Sequence, residues 1–288
     1  MRVLHLKDAV IASPQAIALG YFDGGHRGHQ ALLERTLLEA RRLSCESAVF
    51  SFSHLPTKEG SPLFSVEDRL AFFEKAGIQN VILASFEELR SLSPEAFISS
   101  VLKESCHARL ALCGFNFRFG YMAAGDAALL ARFLPESVIL PPMLYENAPI
   151  SATRIRGALS RGDIEAANAM LGHPYTVSGT VTHGRTVGRT LGFPTANVAP
   201  LTMLPRHGVY KTSVEVDGIL YKGVSDVGVR PTVEEGGEER VETFLKDFSG
   251  DLYEKTLKIS FFSFLREEKR FSSLAELKAQ LSKDIQDL

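Results

Sequence analysis

The stretch AIALGYFDGGHRGHQALL, residues 16–33, indicates the fold of the first half of the chain. It begins with a strand-length run that is apolar on both faces, passes through a glycine-rich loop, and leads into a helix predicted to begin near His29. Glycines at positions 24, 25 and 28 let the backbone turn closely. A parallel strand, a tight loop and a helix N-terminus together favour anion binding, because the free N–H groups and the helix dipole point into the loop. The sequence therefore predicts an anion site with His26 and His29 at its rim.

The rest of the first half alternates strands and helices. Further apolar runs of strand length lie at residues 47–52, 80–84, 109–113 and 137–140. Ser65 with Asp68, and Ser93 with Pro94, are typical of helix starts. The alternation predicts a Rossmann-like parallel sheet with a ligand site at the carboxyl ends of its strands.

After Pro174 the sequence becomes rich in Val, Thr, Tyr and Phe, which favours antiparallel strands. Asp217-Gly218 between two such runs is typical of a hairpin turn. The second half is therefore expected to be a small antiparallel β-barrel followed by a C-terminal helix, with Ser273 and Glu276 as its capping box. We place the domains at residues 1–172 and 173–288.

Composition excludes several classes of protein. Of 288 residues, 45% are hydrophobic and 23% charged, which is typical of a soluble globular protein. The net charge of −2 argues against a broad nucleic-acid-binding surface, and the N-terminal apolar run is too short for a signal peptide or membrane span. The three cysteines lack close metal-binding spacing, as expected of reduced thiols. We expect a cytoplasmic monomer or weak homo-oligomer with no nucleic-acid or membrane partner.

The two loop histidines have three interpretations. As hydrogen-bond donors to phosphate they would suit phosphoryl or nucleotidyl transfer. They could instead be a turn residue and a helix cap. A zinc site is less favoured, because catalytic zinc needs three protein ligands and only Asp23 stands nearby. The loop alone leaves the first two interpretations open.

The loop resembles the nucleotidylyltransferase signature of the bacterial bifunctional riboflavin kinase/FAD synthetases. The matching residues are Gly20, Phe22, Asp23, Gly24, His26, Gly28 and His29. The resemblance implies that these residues bind nucleotide and flavin, and that His26 and His29 are catalytic.

Two further stretches of the first half resemble the same family. Residues 114–120 look like its GxxFRFG segment, which implies that Asn116 and Arg118 bind nucleotide or flavin. Residues 150–156 resemble its ISSTxIR element, which implies that Ser151, Thr153 and Arg156 contact the ATP phosphates. Ala152 stands where the family has a second serine.

The second half carries its own motif. Residues 179–186 come within one residue of a Walker A pattern, with Arg185 in the place of lysine, and fit either a phosphate-binding loop or a hairpin loop. Residues 188–197 are very similar to the flavokinase motif GRxLGFPTAN. The resemblance implies that Thr195 and Asn197 bind Mg²⁺ and ATP and that Glu242 acts as the base. It also assigns nucleotide or flavin binding to Gly179, Gly184, Arg189, Gly192, Pro194 and Arg230.

Two positions depart from the family pattern. Asp226 stands where asparagine is usual, and His54 is displaced by one residue, so no role is carried over to it. The resemblance spans nearly the whole chain. It implies that riboflavin is phosphorylated to FMN and that FMN is then adenylylated to FAD, with MgATP as co-substrate and flavins as substrates and products. The alternatives are a nucleotidylyltransferase for another phosphate substrate and a non-catalytic flavin-binding regulator.

Overall fold

The computed structural model describes residues 1–53, 61–134, 136–182, 195–229, 239–269 and 271–286. The chain divides into two compact units. The first comprises Met1–Gly60 and Val66–Ser151, and the second comprises Ser61–Ser65 and Ala152–Leu288. The proposed boundary between residues 172 and 173 stays a prediction.

The first unit is built on a parallel sheet. In spatial order its strands are β1 (Arg2–His5), β4 (Asn80–Ala84), β3 (Glu46–Phe52), β2 (Gln15–Leu19), β5 (Ala108–Gly114) and β8 (Val138–Leu140). Every residue of β2 and β4 is buried, because apolar clusters pack on both faces of the sheet. The predicted strands and the parallel α/β fold are confirmed. The edge strand β1 was not predicted, because its four residues mix polar and apolar side chains, as short loops do.

Helices connect these strands. They are α1 (Arg27–Leu43), α2 (Val66–Ala76), α3 (Phe86–Leu89), α4 (Pro94–Ala96), which continues as a π-helical segment (Phe97–Ser105), and α5 (Ala127–Phe133). Short antiparallel pairs lie between them: β6 (Arg118–Phe119) with β7 (Gly125–Asp126), and β9 (Leu144–Tyr145) with β10 (Ala148–Pro149).

Two sequence expectations about helix starts are corrected. Helix α1 begins at Arg27, two residues before the predicted start, because His26 and not a later residue caps it. In the C-terminal helix (Leu274–Gln286), Ser273 accepts from the N–H of Glu276, as expected. The Glu276 carboxylate, however, accepts from the N–H and hydroxyl of Ser272, so the reciprocal half of the predicted capping box is shifted by one residue.

Apart from Ser61–Ser65, the second unit consists of α6 (Ala152–Arg161), α7 (Ile164–Leu171) and a closed antiparallel barrel with a C-terminal helix. Its strands run around the barrel in the order β11 (Tyr175–Thr182), β12 (Thr195–Pro200), β15 (Glu239–Leu245), β14 (Ile219–Val229), β13 (Gly208–Val216) and β16 (Thr256–Arg266). The barrel and its C-terminal helix confirm the predicted architecture.

The hairpin between β13 and β14 shows how local sequence sets strand register. Val216 pairs with Ile219, which leaves Asp217 and Gly218 as a two-residue turn. Both turn residues have positive φ, 51° and 79°, as a type I′ turn requires. The Asp-Gly pair therefore predicts this turn correctly. Separately, no helix in the described parts of the chain is both long and apolar enough to cross a membrane.

Gly218→Ala is expected to destabilise the second unit by about 1 kcal/mol, because its φ of 79° disfavours any residue with a Cβ. A Cβ at this position would meet no atom within 4 Å, so steric clash does not contribute. Differential scanning calorimetry measures the change. The matched control is Gly157→Ala inside α6, where alanine favours the helix and should leave stability equal or higher. A stable Gly218→Ala variant would contradict the assignment of the turn.

Candidate functional site

The glycine-rich loop leaves the carboxyl end of β2 and turns sharply before α1. Phe22 is buried and adopts the left-handed conformation, with φ 62° and ψ 28°, which costs a bulky residue about 1–2 kcal/mol. Gly24 and Gly25 also have positive φ, at 75° and 56°. A Cβ at Gly20 would meet the Phe22 ring at 3.2 Å. Gly20 therefore leaves room for the Phe22 ring, and Gly24 and Gly25 allow the backbone to turn.

His26 is the N-cap of α1. Its Nδ1 accepts a hydrogen bond from the backbone N–H of His29 at 3.3 Å. A ring nitrogen that accepts a hydrogen bond carries no proton, so in the neutral ring the proton is assigned to Nε2. Gly28 permits this geometry, because a Cβ there would meet Cε1 of His26 at 3.2 Å. The helix cap is thus His26 and not His29, and this contact fixes the tautomer of the His26 ring.

The rings of His26 and His29 stack, with centroids 3.6 Å apart and planes inclined by 16°. Burial lowers the pKa of His26 to about 4. Burial and the neighbouring His26 hold the pKa of His29 well below its usual value. Both imidazoles are therefore neutral at pH 7, and the positive end of the α1 dipole adds to this preference.

His29 offers a further binding feature. Its Nδ1 is buried and, among the described residues, has no hydrogen-bond partner. A buried polar atom without a partner is costly in the free protein and is a natural contact for a ligand. Two neutral, stacked rings at a helix N-terminus can donate hydrogen bonds to phosphate oxygens without carrying a full charge.

The second predicted stretch of the first unit follows β5, the strand next to β2. Asn116 is exposed, and Arg118 is exposed and lies 3.4 Å from Asp126. Both residues stand beyond the carboxyl edge of the sheet, as does the histidine loop. Beside them, the rings of Phe117 and Phe119 stack with centroids 5.5 Å apart.

The remaining residues predicted for this site are divided between the units. Asp23 is buried in the loop, and Ser151 is the last residue of the first unit. Thr153, which is exposed, and Arg156 lie on α6 in the second unit. Ala152 begins α6, so the family's second serine would occupy its first turn. The roles of Ser151, Thr153 and Arg156 stay predictions.

The barrel brings three of the residues predicted for the second half, Thr195, Asn197 and Glu242, onto one face of the sheet. Asn197 on β12 pairs directly with Glu242 on β15, and Glu242 pairs with Asp226 on β14. Directly paired residues point to the same face of a sheet, with Cβ atoms about 5 Å apart. Thr195 stands two residues before Asn197 and shares this face. The strand pairing thus places a hydroxyl, an amide and two carboxylates on one face of the sheet, and we call this set of Thr195, Asn197, Glu242 and Asp226 the 195–242 row.

Charges around the 195–242 row are partly balanced. Arg240 lies 3.2 Å from Oε1 of Glu242, and both side chains are about one-third exposed. Asp226 has a buried Oδ1 without a hydrogen-bond partner in the described structure. Burial, followed by the charges of Glu268 and Glu242, raises the pKa of Asp226 to about 6. The ionised form of Asp226 is therefore disfavoured at this position beside the predicted base, Glu242.

The donors of the 195–242 row fit the predicted magnesium ion. Mg²⁺ prefers hard oxygen ligands, and the row offers the Thr195 hydroxyl and the Asn197 amide beside two carboxylates. Oδ1 of Asp226 is buried and accepts no hydrogen bond from the described protein atoms, so it remains available to a ligand. The residues present therefore suit a hydrated divalent cation.

Several predicted positions of the second half lie outside the described residues, namely Gly184, Arg189, Gly192, Pro194 and Arg230. His54 lies outside them as well. Gly179 is described and lies in β11, where a Cβ would approach the Ala199 carbonyl oxygen to 2.2 Å. Close strand packing accounts for this glycine, and its nucleotide-binding role stays a prediction.

One buried group beside the histidine loop was not predicted from the sequence. Arg69 on α2 is 2% exposed and donates from Nη1 to the carbonyl oxygen of Tyr21 at 3.2 Å. An arginine in an amphipathic helix is ordinarily taken for an exposed residue. The available signal was its position one turn before Phe73, on the apolar side of the helix.

Two family models match the chain, and they follow one another in the same order as the sequence motifs. Residues 9–154 match the family model described as FAD synthetase, and residues 171–288 match the model described as riboflavin kinase.

Relatives from several bacteria match along the whole chain. The Pseudomonas fluorescens protein named bifunctional riboflavin kinase/FMN adenylyltransferase is 36% identical over 93% of this chain and 89% of its own length. The Bacillus subtilis protein of the same name is 33% identical over 100% of this chain and 97% of its own. A solved Streptococcus pneumoniae structure, titled a macrolide-efflux protein, has a TM-score of 0.90 at 30% identity, covering 99% and 98% of the two chains.

Asp226→Asn is expected to stabilise the second unit above pH 6, by about 1–2 kcal/mol, with the gain disappearing toward pH 4. Because the folded-state pKa is raised from 3.8 to about 6, the penalty on folding is absent below the lower value, grows between the two and is complete above pH 6. Calorimetry at a series of pH values, without metal or nucleotide, measures the difference. Glu215→Gln, which removes an exposed carboxylate from β13, controls for net charge. A gain independent of pH would refute the account of Asp226.

Proposed function

The chain belongs to the family of bifunctional riboflavin kinases/FMN adenylyltransferases, and we propose how its residues divide the two reactions. It is an enzyme that phosphorylates riboflavin to FMN and adenylylates FMN to FAD. The comparisons do not support the two alternatives, a regulator without activity and a transferase for another phosphate substrate.

Adenylyl transfer is assigned to the histidine loop of the first unit. The FMN phosphate attacks the α-phosphorus of ATP, and pyrophosphate leaves. Negative charge moves onto the leaving oxygen during this step, so fixed hydrogen-bond donors near it lower the barrier. The stacked, neutral pair of His26 and His29 at the α1 N-terminus supports this assignment. The Nε2–H of His26 is available as a donor, because Nδ1 already caps the helix.

The other residues of the first site are proposed to hold the substrates. Asn116 and Arg118 follow the strand adjacent to the loop, where an amide and a guanidinium can contact nucleotide or flavin. Gly20, Gly24 and Gly28 keep the backbone close enough for phosphate to approach. Phe22 and Asp23 complete the loop.

Riboflavin phosphorylation is assigned to the barrel. We propose that the Glu242 carboxylate accepts the proton of the terminal ribityl hydroxyl as that oxygen attacks the γ-phosphorus of ATP and ADP leaves. The direct pairing of Glu242 with Asn197 is the observation that carries this assignment, because it places a base beside neutral oxygen ligands. Arg240 fixes the orientation of the carboxylate through its contact at 3.2 Å.

Thr195 and Asn197 are the proposed ligands of Mg²⁺. The ion, when bound, neutralises charge on the ATP phosphates. The chain itself orients these ligands, since both side chains project from the same face of β12.

The proposed setting is the cytoplasm, with riboflavin, FMN and ATP as ligands and a monomer or weak homo-oligomer as the working form. Free cysteines support a reducing compartment. Burial raises the pKa of Cys106 and of Cys113 to about 12, so neither thiol is reactive.

His29→Ala is expected to abolish adenylylation and leave riboflavin phosphorylation near normal, whereas Glu242→Ala should do the reverse. The reason is that each side chain serves a separate reaction. Purified variants are incubated with riboflavin or FMN and MgATP, and the flavins are separated by chromatography.

The matched controls are His5→Ala and Glu215→Gln, which remove an exposed histidine from β1 and an exposed glutamate from β13. Both controls should keep both activities. Loss of both activities in a folded His29→Ala or Glu242→Ala variant would overturn the proposed division.

A further inference from the structure

Arg69 is a buried cation directly beneath the histidine loop. It is 2% exposed and is the largest fully buried side chain in the described structure. Burial lowers the pKa of its guanidinium, and Tyr21 and Asp23 oppose this effect. Burying a guanidinium is costly, so an arginine at such a position is ordinarily retained for a specific purpose.

The guanidinium of Arg69 contacts both the backbone carbonyl oxygen and the side-chain ring of Tyr21. Nη1 donates to the carbonyl oxygen of Tyr21 at 3.2 Å and to Oγ of Ser51 at 3.3 Å. The same guanidinium lies over the Tyr21 ring, with Cζ 4.3 Å from the ring centroid. Backbone and side chain of one loop residue are therefore fixed together, and Ser51 ties both to β3.

One helical turn further along α2, Phe73 supports the next loop residue. Its fully buried ring meets the ring of Phe22 edge to face, with centroids 5.1 Å apart. Residues four positions apart on a helix share one face, so Arg69 and Phe73 contact the consecutive residues Tyr21 and Phe22. This pair opposes the strain of the left-handed Phe22, which persists only if its surroundings hold it.

Phe22 connects α2 to His29. Its ring contacts the imidazole of His29, with centroids 5.1 Å apart and planes inclined by 50°. On its other side His29 stacks on His26. The His29 imidazole therefore lies between the ring of His26, which is the helix cap, and the ring of Phe22, which packs against Phe73 of α2.

We propose that Arg69 and Phe73 are positioning residues for adenylyl transfer, which hold Tyr21 and Phe22 so that the His29 ring keeps its reactive orientation. The inference rests on the proposed function of His29. Each residue acts on His29 through the loop, by its contact with Tyr21 or Phe22.

Arg69→Ala is expected to lower kcat of adenylyl transfer about tenfold to a hundredfold, as a displaced catalytic group does, while changing KM for ATP less than about threefold. Riboflavin phosphorylation by the same sample serves as an internal control and should be unchanged. Guanidinium at about 50 mM, far below denaturing concentrations, should restore part of the lost kcat. Arg69→Lys keeps the charge but lacks the planar fork, and should remain impaired.

Arg90→Ala is the matched control, because Arg90 is an exposed arginine of the same unit, paired with Glu87 at 2.9 Å. It should show normal kcat and no response to guanidinium. If Arg69→Ala does not fold, Arg69→Lys and the milder Phe73→Leu decide the question, with the same selective loss of kcat expected in each.

A normal kcat of adenylyl transfer in folded variants of Arg69 and Phe73 would overturn the inference. A loss of adenylyl-transfer activity no larger than the unfolded fraction of the variant, measured by calorimetry, would overturn it as well. The His29→Ala variant separates the two hypotheses. If His29→Ala remains active, the proposed function fails. If it is inactive and the Arg69 and Phe73 variants are normal, only the positioning inference fails.

Discussion

The hydrogen bond from the backbone N–H of His29 to Nδ1 of His26 organises the first site. It starts α1 at Arg27, fixes the proton of the neutral His26 ring on Nε2, and brings the two rings into a stack. It also requires Gly28, since a Cβ there would crowd the His26 ring. One contact therefore links a helix cap, which stabilises the fold, to a donor array, which suits nucleotidyl transfer.

The second site depends on a different constraint, the register of a closed barrel. Strand pairing alone brings Asn197, Glu242 and Asp226 side by side from three separate strands. The same register sets residues on the opposite face, where the hydroxyls of Ser225 and Thr243 lie 2.8 Å apart and are buried. A slip of one residue would exchange these faces, so stability of the barrel and placement of the base are coupled.

Much of this could be predicted from the sequence, because doubly apolar runs identify buried parallel strands and Asp-Gly identifies a type I′ turn. The motif residues were found by their pattern. The capping by His26 was left open, since it depends on loop dihedral angles that no pattern specifies. The support from Arg69 was missed, because only the packed structure shows a charged helical residue turned inward. The adjacency of Asn197 and Glu242 required the barrel register.

His26 caps α1 and is proposed to act on the phosphates as well, and a comparison of His26→Asn with His26→Ala tests this double role most directly. Asparagine is a good N-cap but has no imidazole, whereas alanine supplies neither function. We predict that His26→Asn retains more of the unfolding free energy than His26→Ala, by about 1 kcal/mol, while both lose adenylyl transfer to the same extent. Full adenylyl-transfer activity in His26→Asn would contradict the claim, since capping alone would then explain the histidine.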